Sequence, residues 1–191
     1  MPRRAREEIE GGVFHVYARG VEKRPIYRDD EDRRAYLRLL DEVIESTGWL
    51  CLSFCLMDNH VHLLVETPKA NLAEGMRQLH GEYARAFNAR YERSGHLFQS
   101  RYGAKRIKSQ AQFWVVVAYI VNNPVEAGLC DRPEEWRWAS HGSVLDGHSP
   151  SWLAERRLLE YFDVGGDPLA AYGRLTTELG VARPVPLGPG P

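Results

Sequence analysis

The chain has 191 residues, of which 43% are hydrophobic, and its 25 Lys and Arg against 26 Asp and Glu give a formal net charge of −1. This length fits one domain with an appendage, and the apolar fraction is sufficient for a buried core. The charge excludes a uniformly basic nucleic-acid-binding protein but is compatible with a local basic surface. Cys51, Cys55 and Cys130 form no even framework, so we expect buried free thiols rather than a zinc site.

The N-terminal residues carry charges of both signs and lack the apolar segment of a signal peptide. No apolar stretch approaches the roughly 20 residues that a membrane-spanning helix needs. These features predict a cytoplasmic protein with no membrane contact. At the other end, residues 181–191 contain four of the 11 prolines, which predicts a disordered tail.

The predicted elements begin with a strand over 13–19, which places His15, Tyr17 and Arg19 on one face. A helix follows over 30–47, capped by Asp29 or Asp30. Two alternating segments, 49–57 and 60–66, are typical of a hairpin whose tight turn is formed by residues 58 and 59.

Two further helices are predicted from capping residues and apolar periodicity. Asn71, with Glu74 three residues later, is expected to cap one helix, and Ser109, with Gln112, the next. Pro124 and Gly128 are expected to end that second helix. One or two more helices are predicted within residues 151–180.

His60 and His62 begin the second strand of the hairpin. Because alternate residues of a strand face the same side, the two imidazoles project together. They are either a pair of metal ligands or two partly buried histidines of a hairpin. In the helix after Ser109, Tyr119 and Asn123 are four residues apart and share one face.

A basic segment covers residues 77–108. It contains eight Lys or Arg against Glu82 and Glu92, a net charge of +6, so the remaining residues carry −7. Basic residues interleaved with aromatic residues favour a nucleic-acid strand, because cations bind phosphates and rings stack on bases. An ordinary charged surface is the alternative.

Three segments have a distinctive composition and order: 57–64 (MDNHVHLL), 95–102 (GHLFQSRY) and 119–129 (YIVNNPVEAGL). Together with Phe14-His15-Val16 and Arg19-Gly20, they resemble the REP-associated tyrosine transposases, which are relatives of the single-tyrosine transposases of IS200-type elements. The resemblance covers about residues 12–142. Asp58 stands where many members carry proline, and Val21 where asparagine is common.

The resemblance implies an α+β fold, with a ferredoxin-like antiparallel sheet packed with helices, of the His-hydrophobic-His endonuclease type. We divide the chain into an N-terminal arm (1–11), a tyrosine transposase catalytic domain (12–142), a C-terminal helical extension (143–180) and the Pro-rich tail (181–191). The function implied is that of a metal-dependent single-stranded DNA endonuclease and strand transferase, which acts through a covalent 5′-phosphotyrosine intermediate on hairpin-bearing repeats.

By the same resemblance, Tyr119 is the nucleophile, His60 and His62 are metal ligands, and Asn123 is the third ligand. The family implies Mg²⁺ or Mn²⁺, although imidazole by its softness favours zinc, copper or nickel. Among nine tyrosines, only Tyr119 has a polar partner one turn away in a well-capped helix. The residues predicted to contact DNA are Arg19, Gln99, Arg101, Tyr102, Lys105 and Arg106.

The expected partner is single-stranded DNA with hairpins, and a homodimer is compatible with the resemblance. One alternative is a domesticated protein that binds DNA hairpins without cleaving them. Another is a metal-dependent hydrolase of small phosphate compounds, which would have no need of the basic segment.

Overall fold

The structure is a computed structural model that describes residues 9–181, with side chains to residue 179. Its strands are β1 (Gly12–Arg19), β2 (Leu50–Leu56), β3 (His60–Thr67) and β4 (Gly103–Arg106). Its α-helices are α1 (Asp30–Thr47), α2 (Leu72–Arg90), α3 (Gln110–Glu126), α4 (Ser140–Leu145), α5 (Glu155–Glu160) and α6 (Pro168–Val181). The predicted α+β class is confirmed. Most of the predicted arm and all but the first residue of the predicted tail lie outside the described residues.

The four strands form one sheet in the order β2-β3-β1-β4, and every neighbouring pair is antiparallel. This order, with α1 between β1 and β2 and α2 between β3 and β4, is the predicted ferredoxin-like arrangement. In the register of the sheet, His60 lies opposite Arg19 and His62 opposite Tyr17. Residues opposite one another share a face, so the sheet brings β1 side chains next to the histidine pair.

The two faces of the sheet have different partners. The histidine face lies against α3, since the ring of Tyr119 is 5.3 Å from that of His62 and 5.8 Å from that of His15. The opposite face is apolar, and its residues Phe14 and Leu63 are buried. The helices α1 and α2 pack against each other and contribute to the same core.

The segment after α3 covers the outer edge of β2. The N–H of Leu56 donates to the carbonyl of Trp138 at 2.9 Å, and the N–H of Ala154 to that of Cys51 at 2.8 Å. An uncovered edge of this kind would be free to pair with another chain. The helix α6 packs on α3 and α5 on β2, and the predicted domain boundary after residue 142 falls within α4.

One detail of the predicted helix ends is wrong. Asn71 makes no side-chain cap, because its amide instead accepts from Trp49 Nε1 and donates to the carbonyl of Thr47, both at 3.0 Å. The predicted end of α3 near Gly128 is confirmed, although the helix continues past Pro124 to Glu126. A proline near the end of a helix removes only one backbone donor, and the segment leaves the helix at Gly128, where φ is +68°.

Gly75 of α2 has no space for a side chain, because the indole of Trp49 packs against it. A Cβ at this position would lie 2.2 Å from the buried Trp49 ring, whereas a Cβ at Gly81 of the same helix would meet nothing within 4 Å. We expect Gly75→Ala to lower the free energy of unfolding by about 2 to 3 kcal/mol through overpacking. Gly81→Ala, the matched control, should raise it by up to about 1 kcal/mol through helix propensity. Urea unfolding measures both, and equal effects would contradict the packing argument.

His141 of α4 contacts Tyr172 of α6 and should lower the free energy of unfolding at acidic pH. It is buried, its Nδ1 lies 2.8 Å from the Tyr172 hydroxyl, and burial lowers the pKa of His141 to about 4. Between pH 6.5 and 4 the unfolded chain therefore binds a proton here that the folded chain does not. This group should destabilise the fold by up to about 1.4 kcal/mol for each pH unit of acidification in that window. Urea unfolding of His141→Gln should show a shallower pH dependence than the wild type; parallel curves would refute it.

No helix within the described residues is long and apolar enough to cross a membrane.

Candidate active site

The turn between β2 and β3 holds His60 in place. The Oδ1 atom of Asn59 lies 2.7 Å from His60 Nδ1. The N–H of Gly20 donates to the carbonyl of Asn59 at 2.8 Å, and the Asn59 amide donates to the carbonyl of Lys23 at 3.0 Å. Both Asn59 Oδ1 and Asn123 Oδ1 only accept, but the Asn59 contact is shorter than the 3.4 Å contact of His60 Nε2 with Asn123, so the geometry favours a proton on Nδ1 and a lone pair at Nε2.

Asp58 of the same turn makes an ion pair and a backbone hydrogen bond to other parts of the domain. Its carboxylate lies 2.5 Å from the guanidinium of Arg33, and its backbone carbonyl accepts from the N–H of Ile26 at 2.9 Å. Arg33 is itself buried and lies over the rings of Tyr27 and Trp138. The aspartate at this position therefore contributes an ion pair that restrains the turn.

His62 lies deeper and is paired with His15. The side chain of His62 is 2% exposed, its Nδ1 is 3.0 Å from His15 Nε2, and the two rings stack with centroids 5.1 Å apart. Within the described residues, His62 Nε2 is buried and has no hydrogen-bond partner. His15, which the predicted first strand places on one face with Tyr17 and Arg19, thus makes its hydrogen bond to His62.

All three imidazoles are uncharged at neutral pH. Burial lowers the pKa of His15 to about 3, that of His62 well below its usual value, and that of His60 as well. The positive charge of Arg19 further lowers the pKa of His60 and of His62, and the positive charge of Lys105 further lowers the pKa of His15. Neutral imidazole is the form that binds a metal.

The helix α3 presents Asn123 and Tyr119 to the histidines. Asn123 Oδ1 is 3.4 Å from His60 Nε2, and Asn123 Nδ2 donates to the carbonyl of Tyr119 at 2.9 Å. The second bond directs the amide oxygen towards His60. The Asn123 amide partly offsets the pKa decrease of both His60 and His62, so it acts on both rings.

Tyr119 lies at the edge of this cluster. Burial raises the pKa of its phenol, while Asn123 and Arg19 act in the opposite direction. The hydroxyl is therefore protonated at neutral pH and needs help to act as a nucleophile.

The polar atoms of this cluster fit a divalent cation. Two acceptors, His60 Nε2 and Asn123 Oδ1, face each other at 3.4 Å, and the buried His62 Nε2 has no other described partner. Such lone pairs are costly to bury unless a donor or a cation satisfies them. Within residues 9–181 no three His, Cys, Asp or Glu side chains form a metal cluster, so the amide is needed to complete a set of three.

Three of the residues predicted to contact DNA line one groove of about 400 Å³ beside this cluster: Arg19, Gln99 and Arg101. The N–H of Gln99 donates to the carbonyl of Arg19 at 2.9 Å, which fixes the loop before β4 against the end of β1. Tyr17 forms part of the wall, and Gly103 allows its ring to approach, since a Cβ there would lie 2.3 Å from the ring.

The other predicted DNA contacts are more dispersed. Lys105 is exposed and lies opposite His15, on the histidine face, whereas Arg106 follows it and points to the other face. Tyr102, just before β4, is 6% exposed and belongs to the core, so most of its ring is covered, and its contact with DNA stays a prediction.

Part of the basic segment is neutralised by the fold. Arg90 is 2.7 Å from both Asp29 and Asp32, two acidic residues outside the segment, whereas Glu82, the partner of Arg85, is already included in the count. The net charge of +6 counted along the sequence therefore overstates the basic surface on α2. The positive charge near the candidate site comes from the groove and from β4.

Comparison with known proteins agrees with the fold. The family model described as "Transposase IS200 like" matches residues 10–123. A solved structure of a REP-associated tyrosine transposase bound to a REP hairpin is similar with a TM-score of 0.67 and 18% identity, covering 78% of this chain and 89% of that one. A putative transposase from Deinococcus radiodurans R1 gives a TM-score of 0.44 and 17% identity, covering 58% and 90%. No curated protein matches the chain.

The class of protein is thus that of the DNA transposases. Since the matched region is more than half of the chain, the chain belongs to the IS200-like transposase family. It shares its fold with the REP-associated tyrosine transposase of known structure.

Proposed function

We propose that this protein is a metal-dependent single-stranded DNA endonuclease and strand transferase, which acts on hairpin-bearing repeats through a covalent 5′-phosphotyrosine intermediate. The observation that carries the proposal is the convergence of Tyr119 and Asn123, on one face of α3, with His60 and His62 of β3. Membership in the family supports a role in DNA transposition. The hairpin bound to the solved relative supports the substrate class.

In the proposed reaction the Tyr119 oxygen attacks a backbone phosphorus. A bond forms between this oxygen and phosphorus, the bond from phosphorus to the 3′ oxygen breaks, and the tyrosine proton is lost while the 3′ oxygen gains one. One strand end keeps a free 3′ hydroxyl, and the other is joined to Tyr119 through its 5′ phosphate. Attack by a 3′ hydroxyl reverses these changes and reseals a strand, so no nucleotide energy source is needed.

The residues of the site supply the conditions for this step. His60, His62 and Asn123 would hold the divalent cation, which when bound supplies charge neutralisation at the phosphate oxygens. Arg19, whose charge also acts on Tyr119 and His60, contributes a fixed positive charge beside them. Asn123 stands next to Tyr119 on the helix and partly offsets the rise in the pKa of its phenol.

The test is incubation of the purified protein with hairpin-bearing single-stranded DNA and Mg²⁺ or Mn²⁺, followed by a denaturing gel. A protein–DNA adduct that survives denaturation, with a released strand that has a 3′ hydroxyl, is the expected result. Binding of the hairpin without an adduct in any divalent metal would instead establish the domesticated, non-cleaving protein. Turnover of small phosphate compounds with no affinity for the hairpin would overturn both.

The cytoplasmic location and the homodimer belong to the same proposal. The β2 edge is covered by residues of its own chain around Trp138 and Ala154, so a dimer would need another surface. Sedimentation with and without DNA measures the oligomeric state.

A further inference from the structure

A second groove, of about 690 Å³, lies between α2 and the loop that contains residues 95–102. Its volume is within the range of about 300–1,000 Å³ that is typical of sites for small organic groups. The α2 side includes small residues, among them Gly81 and Ala84, which leave space between the larger side chains. The opposite side is the loop itself, and neither wall belongs to the cluster around Tyr119.

Two rings form an apolar surface in this groove. His80 and Phe98 stack with centroids 4.2 Å apart and an interplanar angle of 18°, and the Tyr36 hydroxyl lies 3.1 Å from His80 Nε2. Burial lowers the pKa of His80 to about 3, so its ring is uncharged. Flat, uncharged rings with fixed orientation are the surface on which an unstacked nucleobase binds.

The rim of the groove is basic. Arg77 and Arg101 line it and are exposed, and none of the described residues that line it is acidic. A peptide with an apolar anchor has no need of two guanidinium groups, whereas a nucleotide presents a phosphate next to its base. Charge complementarity therefore favours a nucleic-acid strand.

The groove and the groove beside Arg19 adjoin the same loop. Gln99, Ser100 and Arg101 line both this groove and the one beside Arg19. The loop that they form is held in place, since Val21 N–H donates to the carbonyl of Leu97 at 3.0 Å and Gln99 N–H to that of Arg19 at 2.9 Å. A strand with a phosphate at Arg19 would reach the second groove by crossing this loop.

We propose that the groove between α2 and residues 95–102 holds one unstacked base of the single strand that flanks the hairpin. The base lies against His80 and Phe98, and Arg77 and Arg101 contact the phosphates on either side of it. This site deepens the proposed function and rests on it, because it selects where along the flanking strand Tyr119 acts. The volume admits a purine or a pyrimidine.

The experiment measures binding by fluorescence anisotropy without divalent metal, using hairpin oligonucleotides that carry one abasic position at each place in the flanking strand. Wild-type protein should lose about tenfold in affinity at one position, the loss of one stacked base. Gly81→Leu fills the groove without meeting other atoms at its Cβ. It should bind the intact oligonucleotide about tenfold more weakly and lose nothing further at that abasic position.

Gly81→Ala is the matched control and should bind as the wild type, while circular dichroism verifies that both variants are folded. A 5-iodouracil base at the sensitive position should crosslink to α2 or to residues 95–102. The groove does not hold a base if no abasic position lowers the affinity, if Gly81→Leu binds DNA as the wild type does, or if the crosslink maps elsewhere. Unchanged DNA binding by Gly81→Leu is the result expected if the groove instead binds a protein partner.

Failure of this site and failure of the proposed function are distinguishable, because binding is measured without cleavage. A normal adduct on the gel with no sensitive abasic position removes the base site and leaves the chemistry. A sensitive position with no adduct in any metal removes the strand transfer and leaves the base site.

Discussion

Tyr119→Phe is expected to reduce formation of the covalent DNA adduct by at least about 1,000-fold, since the substitution removes the proposed attacking oxygen and nothing else. The ring of Tyr119 stays in contact with His62 and His15, at 5.3 and 5.8 Å, so the fold and hairpin affinity should be retained. The measurement is the rate of adduct formation on a denaturing gel, together with the Kd for the hairpin.

Tyr91→Phe is the matched control for this experiment. Its hydroxyl is 2.8 Å from Asp32, and its ring lies beneath Arg28, away from the histidines. The variant should form adduct at the wild-type rate. If Tyr119→Phe forms adduct as fast as the wild type, another tyrosine is the nucleophile and the proposed site is wrong.

His60→Ala is expected to weaken metal binding by more than about 100-fold and to reduce adduct formation in parallel. Loss of a residue that only orients a ligand costs about 10- to 100-fold in metal affinity, and loss of the ligand itself should exceed it. His60 is half-buried, unlike His62, so the fold tolerates its truncation better. Titration of Mn²⁺ followed by electron paramagnetic resonance reports binding independently of activity.

Asn59→Ala tests whether the residue that orients His60 contributes to metal binding. Asn59 holds His60 Nδ1 at 2.7 Å, so its loss should weaken Mn²⁺ binding by about 10- to 100-fold, less than the loss of His60. His148→Ala, in an exposed position, serves as the control and should bind Mn²⁺ as the wild type does. Equal affinities of His60→Ala and His148→Ala would exclude His60 as a ligand.

The sequence alone predicted the elements that carry the site. The alternation around His60 and His62 and the Ser109 cap are local patterns, and the structure has a strand and a helix cap there. Helix capping by Asn71 was predicted from an equally local pattern and was wrong, because a tertiary partner, Trp49, takes the Asn71 oxygen. Local signals hold where no distant residue competes for the same polar atom.

The hydrogen bond between His15 and His62 joins residues 47 positions apart. The spacing of either residue could not predict it, because it depends on how β1 and β3 are registered. The groove of Arg19, Gln99 and Arg101 likewise arises from backbone bonds between the end of β1 and the loop before β4. For Tyr102 the sequence pattern was misleading. Its aromatic and basic neighbours in sequence indicated an exposed ring, whereas the fold buries it.

What the sequence by itself determined is the set of elements that present the candidate side chains and the face on which each of them lies, because period and spacing decide which face a residue occupies. Only the tertiary structure decided how those faces meet. It placed Asn123 Oδ1 at 3.4 Å from His60 Nε2, buried His62 against His15, and opened the groove beside His80 and Phe98. These distances result from strand register and from the packing of α3 and α2, which many distant residues determine together.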